Sequence, residues 1–291
     1  MLLNILTVIA PVFVCAGIGF TWRKLGHPFD TRMVGALALN LGMPCLVFSS
    51  LTRLNVSLTA FAEMLGAYAV VMVCFLFVGL AAIRSLKVPA HTYLPIFTSS
   101  NTGNMGLPLC LFAFGSEGLA FGICIFILSS IYSFTVGWSI YAGRLAADVL
   151  YNNPLIYAVA LALIFMLSDT SPPDWLANTT ELISGLAIPL MLVSLGVAIA
   201  DLRVRRTGKI VIISFIKLVT GFIVGYAVGD IWGMEGAARG VLIIGAAMPI
   251  AVHNYMFAQR FDRNSDDTAG MIVISTILSL ATLPLLMYLA L

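Results

Sequence analysis

Residues 92 to 114 are apolar enough to cross a bilayer, yet the middle of this segment reads Asn101-Thr102-Gly103-Asn104-Met105-Gly106-Leu107-Pro108. A backbone that leaves the helix inside hydrocarbon finds no water for its N–H and C=O groups, so it survives only where protein surrounds it or it lines a cavity. Gly103 and Gly106 allow backbone conformations closed to other residues. Pro108 suits the first turn of a restarting helix. Asn101 and Asn104 either cap freed backbone groups or offer an amide to a ligand. Residues 101 to 108 are therefore a candidate transport site.

The rest of the chain supplies the membrane setting. Of its 291 residues 60% are hydrophobic and 10% charged, against about a quarter charged in soluble domains, and the mean hydropathy is +1.04. The net charge of +2 is small and scattered, which excludes a nucleic-acid partner, because that needs a clustered basic face. Cys15, Cys45, Cys74, Cys110 and Cys124 each stand alone in apolar stretches, a pattern that fits neither a disulfide framework nor a zinc site. The first basic residue is Arg23, so the N-terminus lacks the charged opening of a cleavable signal peptide and reads as a retained first span.

A helix needs about 20 apolar residues to cross the hydrocarbon core. Ten segments approach that length, near 1–21, 33–51, 60–83, 92–114, 119–141, 154–168, 180–200, 209–229, 238–259 and 268–290. The expected fold is thus an all-α polytopic membrane protein with ten transmembrane helices and brief connections. Cytoplasmic loops concentrate Lys and Arg. Arg23, Lys24, Arg32, Arg84, Lys87, Arg144, Arg203, Arg205, Arg206, Lys209, Arg260 and Arg263 fall on one side, against Arg53 and Arg239 on the other. Both termini are predicted to face away from the cytoplasm.

A shift of 145 residues lays Gly-Met-Pro-Cys-Leu-Val-Phe-Ser (42–49) on Ala-Ile-Pro-Leu-Met-Leu-Val-Ser (187–194) and Asn104 on Pro249. Five spans per half is an odd number, so the second half enters from the opposite side. This predicts a five-helix repeat over 1–141, a short cytoplasmic linker at 142–153 and an inverted repeat over 154–291, with broken, crossing helices in spans four and nine. Matching interruptions of this kind mark midplane sites of secondary transporters. Span nine carries Pro249, His253 and Asn254 where lipid tolerates none cheaply.

Two half-helix N-termini meeting at the midplane offer partial positive charge and free N–H donors, which suit a carboxylate. All 13 acidic residues lie in loops or near span ends, Glu63 being the deepest. Lys217 and His253 are the potentially cationic groups at depth, and an intramembrane ionisable residue is a functional hypothesis by default. Lys217, Glu63 and His253 are accordingly candidates for charge coupling, although Lys217 could instead snorkel to the cytoplasmic face and Glu63 could be interfacial. Ser99, Ser100, Ser129, Ser130 and Ser133 read as helix-packing polar residues. No Ser-His-Asp spacing, His-Glu-x-x-His or P-loop occurs, so neither an enzyme nor direct ATP use is expected, and no metal or cofactor is called for.

Asn-Thr-Gly-Asn-Met-Gly-Leu-Pro-Leu (101–109), Asn-Pro-Leu-Ile-Tyr-Ala (153–158), Leu-Ala-Ile-Pro-Leu-Met-Leu-Val-Ser-Leu-Gly (186–196) and Ala-Ala-Met-Pro-Ile-Ala-Val (246–252) together resemble the auxin efflux carrier family, within the superfamily of bile acid, arsenite and riboflavin transporters. The resemblance implies a scaffold of spans one, two, six and seven beside a transport unit of spans three to five and eight to ten. It also implies carboxylate substrates such as malate or auxin-like acids, and dimers through the scaffold. The short 142–153 link is that of bacterial-style members, implying the bacterial inner membrane. His253 stands where the family pattern has asparagine. The expected function is secondary active transport of a small organic anion by alternating access, by efflux or linked to protons. A sodium-coupled symporter of the bile-acid type and, remotely, a non-transporting membrane sensor are the alternatives. Asn101, Gly103, Asn104, Gly106, Pro108, Pro249, His253 and Asn254 are the expected substrate-site residues.

Overall fold

A computed structural model describes residues 2–53, 57–144, 153–168, 170–201 and 208–290. Most of the expected linker, together with Asp148, Asp169, Arg203, Arg205 and Arg206, lies outside the described residues. The described chain is helical, with no strand among the described residues beyond a single antiparallel bridge pairing Ser100 with Ile250.

The helices are α1 (Leu2–Lys24), α2 (Thr31–Leu37), α3 (Met43–Arg53), α4 (Leu58–Leu86), α5 (Ala90–Thr98), α6 (Leu107–Tyr132), α7 (Trp138–Ala142), α8 (Pro154–Leu167), α9 (Asp174–Ser184), α10 (Ala187–Asp201), α11 (Gly208–Ile231), α12 (Gly236–Ala247), α13 (His253–Arg260) and α14 (Ser265–Ala290). Three π-helical turns, Ala38–Gly42, Thr102–Gly106 and Ser133–Gly137, join α2 to α3, lead into α6 and join α6 to α7. Such turns widen the helix by one residue and leave local hydrogen bonding loose.

Seven stretches are long and apolar enough to cross a membrane, while Pro154–Leu167 and Gly236–Ala247 are apolar but shorter. The chain is an integral membrane protein. One feature agrees with the expected segmentation and one departs from it. Within Thr102–Ala142 the helix is interrupted at Gly115, φ 62° and ψ −148°, in the gap between the expected spans 92–114 and 119–141. There Gly118 comes so close to Cys110 and Phe114 that a Cβ would collide with both. The polar connection expected at 169–179 instead starts α9 at Asp174, directly after Pro173, and α9 meets α10 at Gly185 and Leu186. Proline is well placed to open a helix, and Asp174 in the first turn complements its dipole.

Small residues set the helix spacing, as is usual where apolar lipid gives no drive to associate. Along the α1–α10 interface a Cβ on Gly19 would strike the Val193 carbonyl and one on Gly196 the Ala16 carbonyl. At the end of the same pair Arg23 bonds Asp201 at 2.6 Å and Lys24 donates to the Ala200 carbonyl. Helix α3 packs along α8, with Phe48 edge-on to Phe165. Helix α11 lies equally close to α12, because Gly221 and Gly225 face the Ala246 backbone and side chain.

The glycine packing gives a direct test. Gly196→Ala forces its methyl into the Ala16 carbonyl and is expected to cost about 1–3 kcal/mol, seen as a lowered Tm in detergent. Gly17→Ala, on the same helix as Gly19 but with nothing within 4 Å, leaves Tm unchanged or slightly raised.

Candidate functional site

The two interrupted helices cross where their breaks meet. Helix α12 stops at Ala247 because Met248 precedes Pro249, and a residue before proline is pushed out of the helical region; Met248 takes ψ 145°. Helix α5 stops at Thr98, whose hydroxyl bonds the Leu94 and Pro95 carbonyls at 3.3 and 3.2 Å, competing with the next turn for the same acceptors. The freed backbone groups then satisfy each other. Asn101 N–H donates to the Pro249 carbonyl at 2.7 Å, Ala251 N–H to the Ser99 carbonyl at 3.0 Å, and Ile250 N–H to Ser275 Oγ at 3.2 Å.

The pairing is antiparallel: Ser100 bridges Ile250, with Asn101 bonded to Pro249 on one side and Ala251 to Ser99 on the other. It records which residues touch, whereas the 145-residue shift that sets Asn104 on Pro249 records which positions correspond.

Lys217 of α11 reaches this point. It is fully buried, its Nζ donates to Ser100 Oγ at 2.8 Å and it lies 3.5 Å from the centre of the Phe75 ring. It therefore does not snorkel. Among the described residues no carboxylate pairs with it, and only one of its three N–H donors has a hydrogen-bond acceptor. Burying an ammonium costs several kcal/mol even after relaxation. A hydrogen bond to a charged group returns about 1.5–3 kcal/mol and a desolvated cation–π contact about 2. These two contacts leave the charge only partly compensated.

Other polar groups around the crossing are also incompletely used. Asn101 is buried at the break without a side-chain capping bond, and its Nδ2 has no partner. The Tyr68 hydroxyl lies beside Ser100 and Ser129, and the Tyr132 hydroxyl beside Thr98, each buried without closing a hydrogen bond. His253 opens α13 stacked on Phe134 and Phe257, at 5.5 and 5.3 Å between ring centres, with Nε2 buried and unpartnered. The helix restarts at Thr102, whose N–H donates to the Ser100 carbonyl at 2.8 Å.

Several expected site residues serve the fold instead. Gly103 and Gly106 do not use positive φ. Gly103 is small because a Cβ there would lie 2.9 Å from Phe126 and 3.2 Å from Met191; at Gly106 it would lie 3.4 Å from Met248. Pro108 does sit in the first turn of α6, as its type suggests. Asn254 is buried and already engaged at both ends of its amide, donating to the Ala251 carbonyl at 3.1 Å and accepting from the Tyr141 hydroxyl at 3.4 Å. Asn104 is half-buried in the π-turn. Glu63 is exposed near the start of α4 and joins none of these contacts. Ser100, Tyr68, Tyr132 and Phe75 are the site residues that sequence reasoning missed. Only the depth of Lys217 hinted at them, because a buried amine must have neighbours.

A family model described as membrane transport protein matches the chain over residues 4–153 and 149–287. The chain belongs to the auxin efflux carrier family of membrane transport proteins. It is 24% identical to an uncharacterized transporter of Methanocaldococcus jannaschii, covering 96% of both chains. It is also 24% identical to an uncharacterized transporter of Methanothermobacter thermautotrophicus over 94% of each. A Rhizobium meliloti protein named "Putative malonate transporter" is 25% identical over 97% of this chain and 94% of its own. Family and relatives alike are transporters, which places the polar crossing in a transport protein.

The division of labour at the crossing predicts opposite effects on stability. Asn254→Ala removes two side-chain hydrogen bonds but leaves the Ala251 carbonyl its bond from Asn254 N–H and the Tyr141 hydroxyl its bond to the Thr92 carbonyl, and lowers stability by about 0.5–1.5 kcal/mol. Lys217→Met replaces a buried amine, whose charged form is poorly compensated, by an apolar chain of similar volume and leaves Tm unchanged or raised. Thermal melts of the purified variants check both.

Proposed function

We propose that the chain is a secondary active transporter that carries small organic anions across the membrane by alternating access, with the anion held where the two broken helices cross. The observation that carries this reading is Lys217, a fully buried amine at the bridge with no described acid partner. Elsewhere at the crossing Asn101 Nδ2 and the Tyr68 and Tyr132 hydroxyls are buried donors without partners, and His253 Nε2 is a further unpartnered atom. An anion supplies both the missing countercharge and acceptors for these donors. Asn101, Lys217 and Ser100 form the centre of the site, and His253 its second side; Gly103, Gly106, Pro108 and Pro249 shape it.

The same reading takes the protein as two inverted five-helix halves. Its support is the reciprocal pairing of α1 with α10 and α3 with α8, the contact of Gly42 with Ala187, which are 145 apart, and the mutual satisfaction of the two breaks. On this reading α1 to α3 and α8 to α10 form a scaffold through which the protein dimerises, and the remaining helices form the transport unit. Both termini lie outside the cytoplasm of a bacterial-style inner membrane. A C-terminal alkaline phosphatase fusion is therefore expected to be active, and an inactive one with an active cytoplasmic reporter would reverse the orientation.

Transport is tested with labelled malonate, a probe suggested by the name of the Rhizobium relative, within a panel of mono- and dicarboxylates in proteoliposomes. We expect saturable exchange of at least one carboxylate. Asn101→Ala should raise KM about tenfold, the loss of one hydrogen bond to a charged group. Wild-type kinetics in an Asn101→Ala, His253→Ala double variant would remove the site from the crossing.

A further inference from the structure

Resting on the reading that the crossing holds a small organic anion, we propose that Lys217 is the proton-coupling group of the transporter. It takes up one proton as the anion enters and gives it up as the anion leaves, so that one proton travels with each anion.

The geometry around Nζ suits both protonation states. When the lysine is an ammonium, it donates to Ser100 Oγ at 2.8 Å and faces the Phe75 ring at 3.5 Å. When it is an amine, its lone pair accepts the Ser100 hydroxyl hydrogen across the same distance, because a serine hydroxyl both donates and accepts. Ser100 is also half of the bridge to Ile250, so the proton site and the crossing share one residue. An ammonium buried without a countercharge is costly, and a carboxylate buried without one equally so; bringing both together makes a neutral pair. The balance is simple: amine, carboxylate and one proton from the open compartment give ammonium and carboxylate side by side. Release on the other face returns the proton to water and the amine to Ser100.

Among the described residues Lys217 is the titratable group hydrogen-bonded to the bridge itself. The elements packed against α11 are α4, α12 and α14. On α4, Glu63 and Arg84 stand toward the two ends and Cys74 next to Phe75, while the Tyr68 hydroxyl lies beside Ser100. Arg239 is in the first turn of α12 and reaches toward Asp230; Asp266 and Asp267 begin α14 and Tyr288 ends it. On α11 itself Lys209, Tyr226 and Asp230 are away from the buried face. Tyr93 of α5 bonds Asp267, and His253 stacks on aromatic rings of α13 and the π-turn before α7. None of the described acidic residues is buried, so no carboxylate at the crossing is available to hold sodium or to share the proton.

The test uses the full-length protein in sodium-free proteoliposomes with the membrane potential clamped and labelled malonate as probe. An inward acid gradient of one unit is expected to drive accumulation about tenfold, the ratio one coupled proton supplies. Lys217→Gln and Lys217→Arg, whose folding is verified by Tm, are expected to lose that accumulation; their residual malonate exchange, though slowed, becomes indifferent to the pH gradient. Accumulation at the wild-type ratio in either variant, or wild-type transport driven by sodium and indifferent to pH, overturns the proposal. If neither variant folds, the wild type decides by calorimetry of malonate binding in two buffers of different ionisation enthalpy. Uptake of close to one proton per malonate upholds the role, and none at any pH removes it. A wild type that exchanges malonate without moving protons sinks only the role of Lys217. One that exchanges no carboxylate in the panel sinks the anion reading and this proposal with it.

Discussion

The structure depends on two broken helices repairing one another. A break in hydrocarbon strands backbone donors and acceptors at several kcal/mol each, so neither α5 nor α12 could end where it does alone. Asn101 N–H on Pro249 and Ala251 N–H on Ser99 turn two defects into one short antiparallel pairing. Proline contributes twice here: it ends α12 through Met248 and brings no N–H that would itself need a partner. The pairing fixes where four half-helix ends converge, and every candidate ligand group is placed by that convergence.

The second consequence concerns charge. A lysine brought to the same place by α11 meets a serine and an aromatic face, and no described acid. Were Lys217 there for stability alone, a methionine of similar volume would serve better, since an unpaired buried charge is a net cost. Retaining an amine makes physical sense if its charge is completed by something that comes and goes. Asn101, Tyr68 and Tyr132 point the same way, because a packed core without a ligand normally satisfies its hydroxyl and amide groups.

Much of this was legible in the sequence where the cause is local. The stop before Pro249 follows from a residue type that cannot continue a helix. The break expected at 101–108 is narrower and slightly earlier: the chain is non-helical only at 99–101 and helical again from Thr102, with Pro108 in the first turn of α6. What was illegible depends on distance in space. Gly103 looked like a conformational residue and proves to be a packing residue, because Phe126 and Met191 come from other helices. Asn254 looked like a ligand group until Tyr141, 113 residues earlier, claimed its oxygen. Ser100 looked like an ordinary packing serine, since nothing in its own segment announces Lys217, 117 residues later. The first half of α9, residues 174–179, was read as a connection because its charged and polar residues dilute the apolar signal over a segment that is still helical.

Close packing also bears on how such a site could move. Gly221 and Gly225 lock α11 against α12, and Gly79 of α4 sits against Phe97 of α5 closely enough that a Cβ would lie 2.9 Å away. Lys217 and Phe75 therefore sit on helices that are each held against a broken helix by close glycine contact, α11 on α12 and α4 on α5, and Ser100 lies in the break just after α5. Tightly packed pairs of this kind shift as units and not residue by residue. On the alternating-access reading, the amine and the crossing travel together, and the countercharge need not be rebuilt on the far side. The α1–α10 pair has its own glycine contacts at Gly19 and Gly196, which makes it a separate rigid unit against which that movement would be defined.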